Sequence, residues 1–205
     1  VKLHPDDFEV EEYESTRRSA TVFAIDLSLS MAMRGNLVPA KKMTLALTQL
    51  IRSKFPRDFC AVVGFGELAR EIRVDDIPSL TIDYNYGTNL QHALALSRHL
   101  MRNETGERQV VVVTDGEPTA HLMSNGEPFF AWPPVPETLQ LTMAEVLRCT
   151  RAGIVINTFA LDIERSQFPF VEQIGRVNGG RTFYTSVDQL GTYVLDDFVR
   201  HRRAG

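Results

Sequence analysis

From residue 21 onward the chain alternates between short apolar, β-branched runs and longer stretches with helical spacing. The apolar runs cover 21–26, 59–65, 109–114 and 154–160, and a last one covers 181–185. Residues 110–113 are consecutive valines, apolar on both faces, as expected for a central parallel strand covered by helices on each side. Between the runs, Ala40, Met43, Leu47, Leu50 and Ile51 form one helical stripe, and Leu90, Ala93, Leu94, Ser97, Leu100 and Met101 form a second. Leu139, Met143, Val146, Leu147 and Thr150 predict a third helix, stopped at Gly153. Phe170, Val171, Ile174 and Val177 predict a fourth, closed by Asn178-Gly179-Gly180. Ser186 and Gln189 make a capping box for a fifth, with Leu190, Val194 and Phe198 facing inward. Residues 69–74 follow Gly64-Phe65-Gly66-Glu67 too closely for a crossover helix, so they hairpin back as an antiparallel edge strand. The expected fold is α/β, a doubly wound and mostly parallel sheet with one antiparallel edge strand, over residues 21–205. Residues 1–20 carry Asp6, Asp7, Glu9, Glu11, Glu12 and Glu14 with few apolar anchors, and read as an acidic lead-in or linker.

Composition narrows the class. A chain of 205 residues, 43% hydrophobic and 23% charged, is long enough to bury a core without disulfide or metal staples. A net charge of −4 provides no overall positive field, so neither nucleic acid nor a membrane surface is an expected partner. No apolar run approaches the roughly 20 residues needed to span a bilayer, and residues 1–15 do not have a signal-peptide pattern. Cys60 and Cys149 are too few for a secreted disulfide scaffold and are expected to be buried, inert thiols. The expected location is a reducing cytoplasm. Because the chain opens on Val1 rather than Met, it reads as a domain cut from a longer protein.

In a doubly wound sheet, ligands gather beyond the carboxyl ends of the strands. Three polar segments are expected there: Asp26-Leu27-Ser28-Leu29-Ser30, Gly87-Thr88-Asn89, and Thr114-Asp115-Gly116-Glu117. In an extended turn Asp26, Ser28 and Ser30 point the same way, and neighbouring strands would bring Asp26 close to Asp115. Two carboxylates side by side in a partly desolvated cleft repel by several kcal/mol, so a shared proton or a cation must compensate. Ser28, Ser30 and Thr88 add hydroxyl oxygens, and these segments contain no His or Cys. An all-oxygen set with two carboxylates suits Mg²⁺ or Mn²⁺ rather than zinc or copper, and leaves a coordination position open to an outside carboxylate.

Asp-x-Ser-x-Ser, then Thr, then Asp, in this order at strand ends, resembles the metal-ion-dependent adhesion site of von Willebrand factor A (vWA) domains. The resemblance covers roughly residues 20–203 and implies Asp26, Ser28, Ser30, Thr88 and Asp115 as metal ligands. Met31, Gly35, Gly-Thr-Asn and Thr-Asp-Gly-Glu agree with it. The stretches around Asp26-Leu-Ser-Leu-Ser-Met, Phe55-Pro-Arg-Asp, Gly87-Thr-Asn-Leu and Thr114-Asp-Gly-Glu-Pro-Thr-Ala-His are similar to a bacterial subgroup. That subgroup comprises magnesium-chelatase D-type subunits and the partners of MoxR-type AAA+ ATPases. Leu29 departs from the pattern, standing where many members have Gly. The implied function is a protein-binding module in which the ion captures a partner's Asp or Glu, the partner being an AAA+ ATPase.

Residues 118–136 form a long connection for a compact α/β domain, with Asn125-Gly126 as a tight-turn signal. Glu117, His121, Phe129, Phe130 and Trp132 on or beside it are candidates for partner contact; a loop packed back on the domain is the alternative. Two other functions remain open. A Mg²⁺-dependent phosphotransferase would need a second Asp where Ser28 stands, and a lysine to answer the phosphate charge. A metal-free scaffold would not respond to divalent ions.

Overall fold

The computed structural model describes residues 18–82, 87–163 and 165–185. The chain runs β1 (Ser19–Asp26), α1 (Leu29–Met33), α2 (Leu37–Lys54), β2 (Phe59–Phe65), β3 (Ala69–Ile72), a 3-10 turn (Val74–Ser79) and α3 (Leu90–Leu100). It continues through β4 (Glu107–Thr114), β5 (Ala120–Leu122), β6 (Pro128–Phe130), α4 (Pro136–Arg151), β7 (Ile154–Leu161), α5 (Phe168–Asn178) and β8 (Thr182–Thr185). The main sheet has the order β3-β2-β1-β4-β7-β8. Among the described residues, only its β2–β3 pair is antiparallel. This is the expected mostly parallel sheet with one antiparallel edge strand.

Both faces of the sheet are buried because each central strand feeds two cores in alternation. Phe23, Ile25, Val111 and Val113 face α1, α2 and the 3-10 turn. Val22, Ala24, Val110 and Val112 face α3, α4 and α5. The stripes expected on α2, α3 and α5 are the ones these helices bury, through Met43, Leu47 and Ile51, Leu90 and Leu94, and Phe170 and Ile174.

Three expectations change. The first strand opens at Ser19, inside the stretch read as a lead-in. On α4, Leu139, Met143 and Val146 of the expected stripe do pack on the core, but the helix also buries Thr138, Thr142, Glu145 and Cys149, while Leu147 is 43% exposed. Its polar stripe can be buried because Thr142 donates to the Thr138 carbonyl (2.8 Å) and Glu145 is held by Arg98 and Arg148 (both 2.7 Å). Cys60 is half-buried rather than buried. The fifth helix expected after Ser186, and residues 1–17 of the lead-in, lie outside the described residues. Among the described residues no helix is long and apolar enough to cross a membrane.

Candidate metal centre

β1 and β4 are adjacent and in register, Ile25 beside Val113, so their carboxyl ends deliver Asp26 and Asp115 to the same edge. Both side chains are buried. Asp26 Oδ1 accepts from the Ser28 amide (2.8 Å) and Oδ2 accepts from the Thr114 hydroxyl (2.6 Å). The chain then turns into α1, so Ser28 stands at a helix N-cap and Ser30 within the helix. The extended turn expected from alternation is therefore a helical turn, yet it still brings the hydroxyls together. Ser28 Oγ and Ser30 Oγ are 3.0 Å apart, and Ser30 Oγ donates to Asp115 Oδ1 at 2.8 Å. Asp26, Ser28, Ser30 and Asp115 thus form one connected network.

Thr88 reaches this edge from the loop before α3 and is anchored through its backbone. Its amide donates to Thr119 Oγ1 (2.9 Å), and its carbonyl accepts from the amides of Thr119 (3.1 Å) and Ala120 (3.3 Å). Next to it, the buried Asn89 caps α3 by accepting from the His92 amide, and donates to the Glu67 carbonyl. Gly87 adopts φ 134°, and a Cβ there would lie 2.9 Å from that of Ala120, so this approach needs glycine.

The electrostatics are those of two anions under strain. Burial and then the Asp115 charge push Asp26 up from 3.8 to about 7, against its bonds to Ser28 and Thr114. Burial also raises Asp115, and the Asp162 charge adds to this, while Ser30 and Arg34 pull it back. Asp115 Oδ2 is buried with no hydrogen-bond partner. An orphaned carboxylate oxygen next to a second desolvated carboxylate, in one network with the Ser28 and Ser30 hydroxyls, is a donor set that fits a hard divalent cation. Among the described residues no three His, Cys, Asp or Glu side chains gather as a metal-binding group. An ion held by Asp26, Asp115, Ser28 and Ser30 would have two carboxylates and hydroxyl oxygens around it.

The connection after Asp115 does form a hairpin, β5 pairing antiparallel with β6 and turning at Gly126 (φ 85°). At the surface Trp132 is 69% exposed, Phe130 40% and Phe129 36%. His121 is not available. It is buried, with Nδ1 2.9 Å from Thr138 Oγ1 and its ring 5.0 Å from that of Phe129, so its expected contact with a partner is corrected to a packing role. Glu117 is half-buried, and desolvation raises its pKa. Sequence reasoning missed Thr114, Thr119 and Arg34. Arg34 Nη1 donates to the carbonyls of Asp115 and Asp162 at 3.2 Å each, and its Nε lies 3.9 Å from Asp115 Oδ2. Thr114 was visible inside Thr-Asp-Gly-Glu, but the other two act across the fold and leave no local signal.

The same fold occurs in solved structures of low sequence identity. The PilB minor pilin from Streptococcus sanguinis matches with a TM-score of 0.73 at 14% identity, over 93% of this chain and 63% of that one. BatB from Bacteroides thetaiotaomicron matches at 0.65 and 14% identity, over 92% of this chain and all of that one. A von Willebrand factor type A structure from Catenulispora acidiphila matches at 0.62 and 16% identity, over 91% of this chain and 42% of that one. Two curated relatives are similar in sequence: the uncharacterized proteins Rv0959 of Mycobacterium tuberculosis (strain H37Rv) and Mb0984 of Mycobacterium bovis. Each is 36% identical over 208 residues, covering 99% of this chain. This chain spans about a third of their length, 31%. The sequence profile of the Rv0959-like protein vWA domain matches residues 19–199, and the chain belongs to that family.

Proposed function

We propose that this vWA domain is a divalent-metal-dependent protein-binding module, with Asp26, Ser28, Ser30, Thr88 and Asp115 as the residues that hold Mg²⁺ or Mn²⁺. The carrying observation is Asp115 Oδ2, an anionic oxygen buried without a hydrogen bond beside a second carboxylate at the sheet edge. A divalent ion bound there supplies an electrophilic position for an Asp or Glu carboxylate of another protein. Ser28 and Ser30 orient the two carboxylates, and the Thr119 bonds hold the Thr88 loop at the same edge. vWA domains are in general interaction modules rather than enzymes, and Ser28 stands where a phosphotransferase of this topology would need a second acid. The partner we infer is a cytoplasmic AAA+ ATPase of the MoxR or magnesium-chelatase kind, with Phe129, Phe130 and Trp132 as an apolar rim beside the captured carboxylate.

Millimolar Mg²⁺ or Mn²⁺ should raise the melting temperature, because a ligand that binds only the folded state stabilises it. Asp26→Ala and Asp115→Ala should each abolish the rise. If both variants respond as the wild type does, the metal centre is elsewhere or absent. Affinity capture from native lysate, with Mg²⁺ and with chelator, identifies the partner. Recovery of the same proteins in both arms removes the metal-dependent reading.

A further inference from the structure

Arg34 follows α1 directly, and its amide bonds to the Ser30 carbonyl at 2.9 Å, so the turn that carries Ser28 and Ser30 also fixes where this guanidinium starts. Its head reaches across the edge of the sheet. Nη1 donates to the carbonyls of Asp115, just past β4, and Asp162, just past β7, which ties two neighbouring strand ends together. Nε lies 3.9 Å from Asp115 Oδ2, the oxygen that has no hydrogen bond. That separation is too long for a hydrogen bond and short enough for an ion pair. Arg34 thus balances the charge of Asp115 without satisfying it. A guanidinium cannot shed its proton to make room for a second cation.

Resting on the reading of this edge as a metal centre, we propose that Arg34 is a built-in competitor for the divalent ion. Its positive charge occupies the electrostatic place beside Asp115 that the ion needs, and tight ion binding requires its release. Like charges this close oppose one another strongly in a partly desolvated site. The Arg34 side chain is 37% exposed, so a route into solvent is open to it. Its release removes the shared donor from the Asp115 and Asp162 carbonyls. Asp162 has the left-handed φ of 47°, uncommon for a non-glycine residue, so the end of β7 loses a tether at a strained position. Occupancy of the ion site is thereby linked to the freedom of the neighbouring strand end.

The test measures Mn²⁺ affinity of this chain from the electron paramagnetic resonance signal of free Mn²⁺, at low salt. The set comprises wild type, Arg34→Ala, Arg34→Gln and Arg34→Lys. The Ala and Gln variants should bind Mn²⁺ about tenfold more tightly than wild type, and Lys, which keeps the charge without the planar fork, should fall between. Raising the salt concentration should narrow the gap, because screening weakens the repulsion that Arg34 supplies. Gln retains a donor for the carbonyls, so it remains informative if Ala fails to fold. Wild-type or weaker affinity in both folded neutral variants overturns the competitor role while leaving the metal centre standing. No Mn²⁺ binding by any of the four chains overturns the metal centre and the competitor together.

Discussion

Asp26 shows how far a single residue's chemistry depends on its surroundings. In an unfolded chain it titrates near 3.8, whereas in the fold burial and the neighbouring Asp115 move it to about 7. The folded chain therefore holds this proton more tightly than the unfolded chain does. That contribution is fully present below about pH 4 and is lost as pH rises through 7. In chelator, the melting temperature should fall between about pH 4 and pH 7, and Asp26→Asn, which cannot ionise, should flatten much of that fall. A wild-type curve that rises over this range would contradict the buried pair. Metal affinity should rise over the same interval, because a carboxylate must lose its proton to become a ligand. Burial pushes the cysteines in the same direction, away from the neutral range rather than into it. Cys60 is pushed up to about 11 and Cys149 to about 12, which leaves both as unreactive thiols at neutral pH.

At the scale of elements, the β5–β6 hairpin does two separable jobs. The start of its first strand holds the Thr88 loop, while the end of its second strand and the residues just past it expose Phe130 and Trp132. Thr119→Val would leave the buried Thr88 amide without its acceptor, a loss of about 1–3 kcal/mol. It should also weaken Mn²⁺ binding although Thr119 is not a proposed ligand, and Thr119→Ser should restore both in titration and denaturation experiments. Trp132→Ala, on an exposed side chain, should leave stability within about 0.5 kcal/mol and reduce partner capture. The α3–α4 contact depends on Glu145 between Arg98 and Arg148. Both arginines are partly exposed, so removing either one leaves a cation in place and should cost about 1 kcal/mol. Removing both strands the buried carboxylate and should cost about 3 kcal/mol in urea unfolding, more than the two single losses added. On α4 the apolar stripe marks only part of the inner face, through Leu139, Met143 and Val146, and Leu147 stays outside. Two arginines and the back-bonding of the helix's threonines allowed a polar stripe to be buried alongside.

For the whole molecule, the candidate site follows from the order of strands. Placing β1 beside β4 brings together two acids that are 89 positions apart in the sequence, Asp26 and Asp115. The return from α5 to β8 depends on Gly180, where a Cβ would collide with the Ile156 carbonyl of β7. Gly180→Ala should therefore destabilise the sheet by about 3 kcal/mol in denaturant unfolding. The sequence by itself determined the fold class, the strand positions, the antiparallel edge and the residues able to supply oxygen ligands. Those properties follow from local periodicity and residue chemistry, which are written along the chain. Only the tertiary structure decided that Ser30 sits on a helical turn, that His121 is buried, that Thr119 supports Thr88, and that Arg34 spans two strand ends. The last three depend on distances between segments far apart in sequence, and no local pattern of polar and apolar residues encodes such distances.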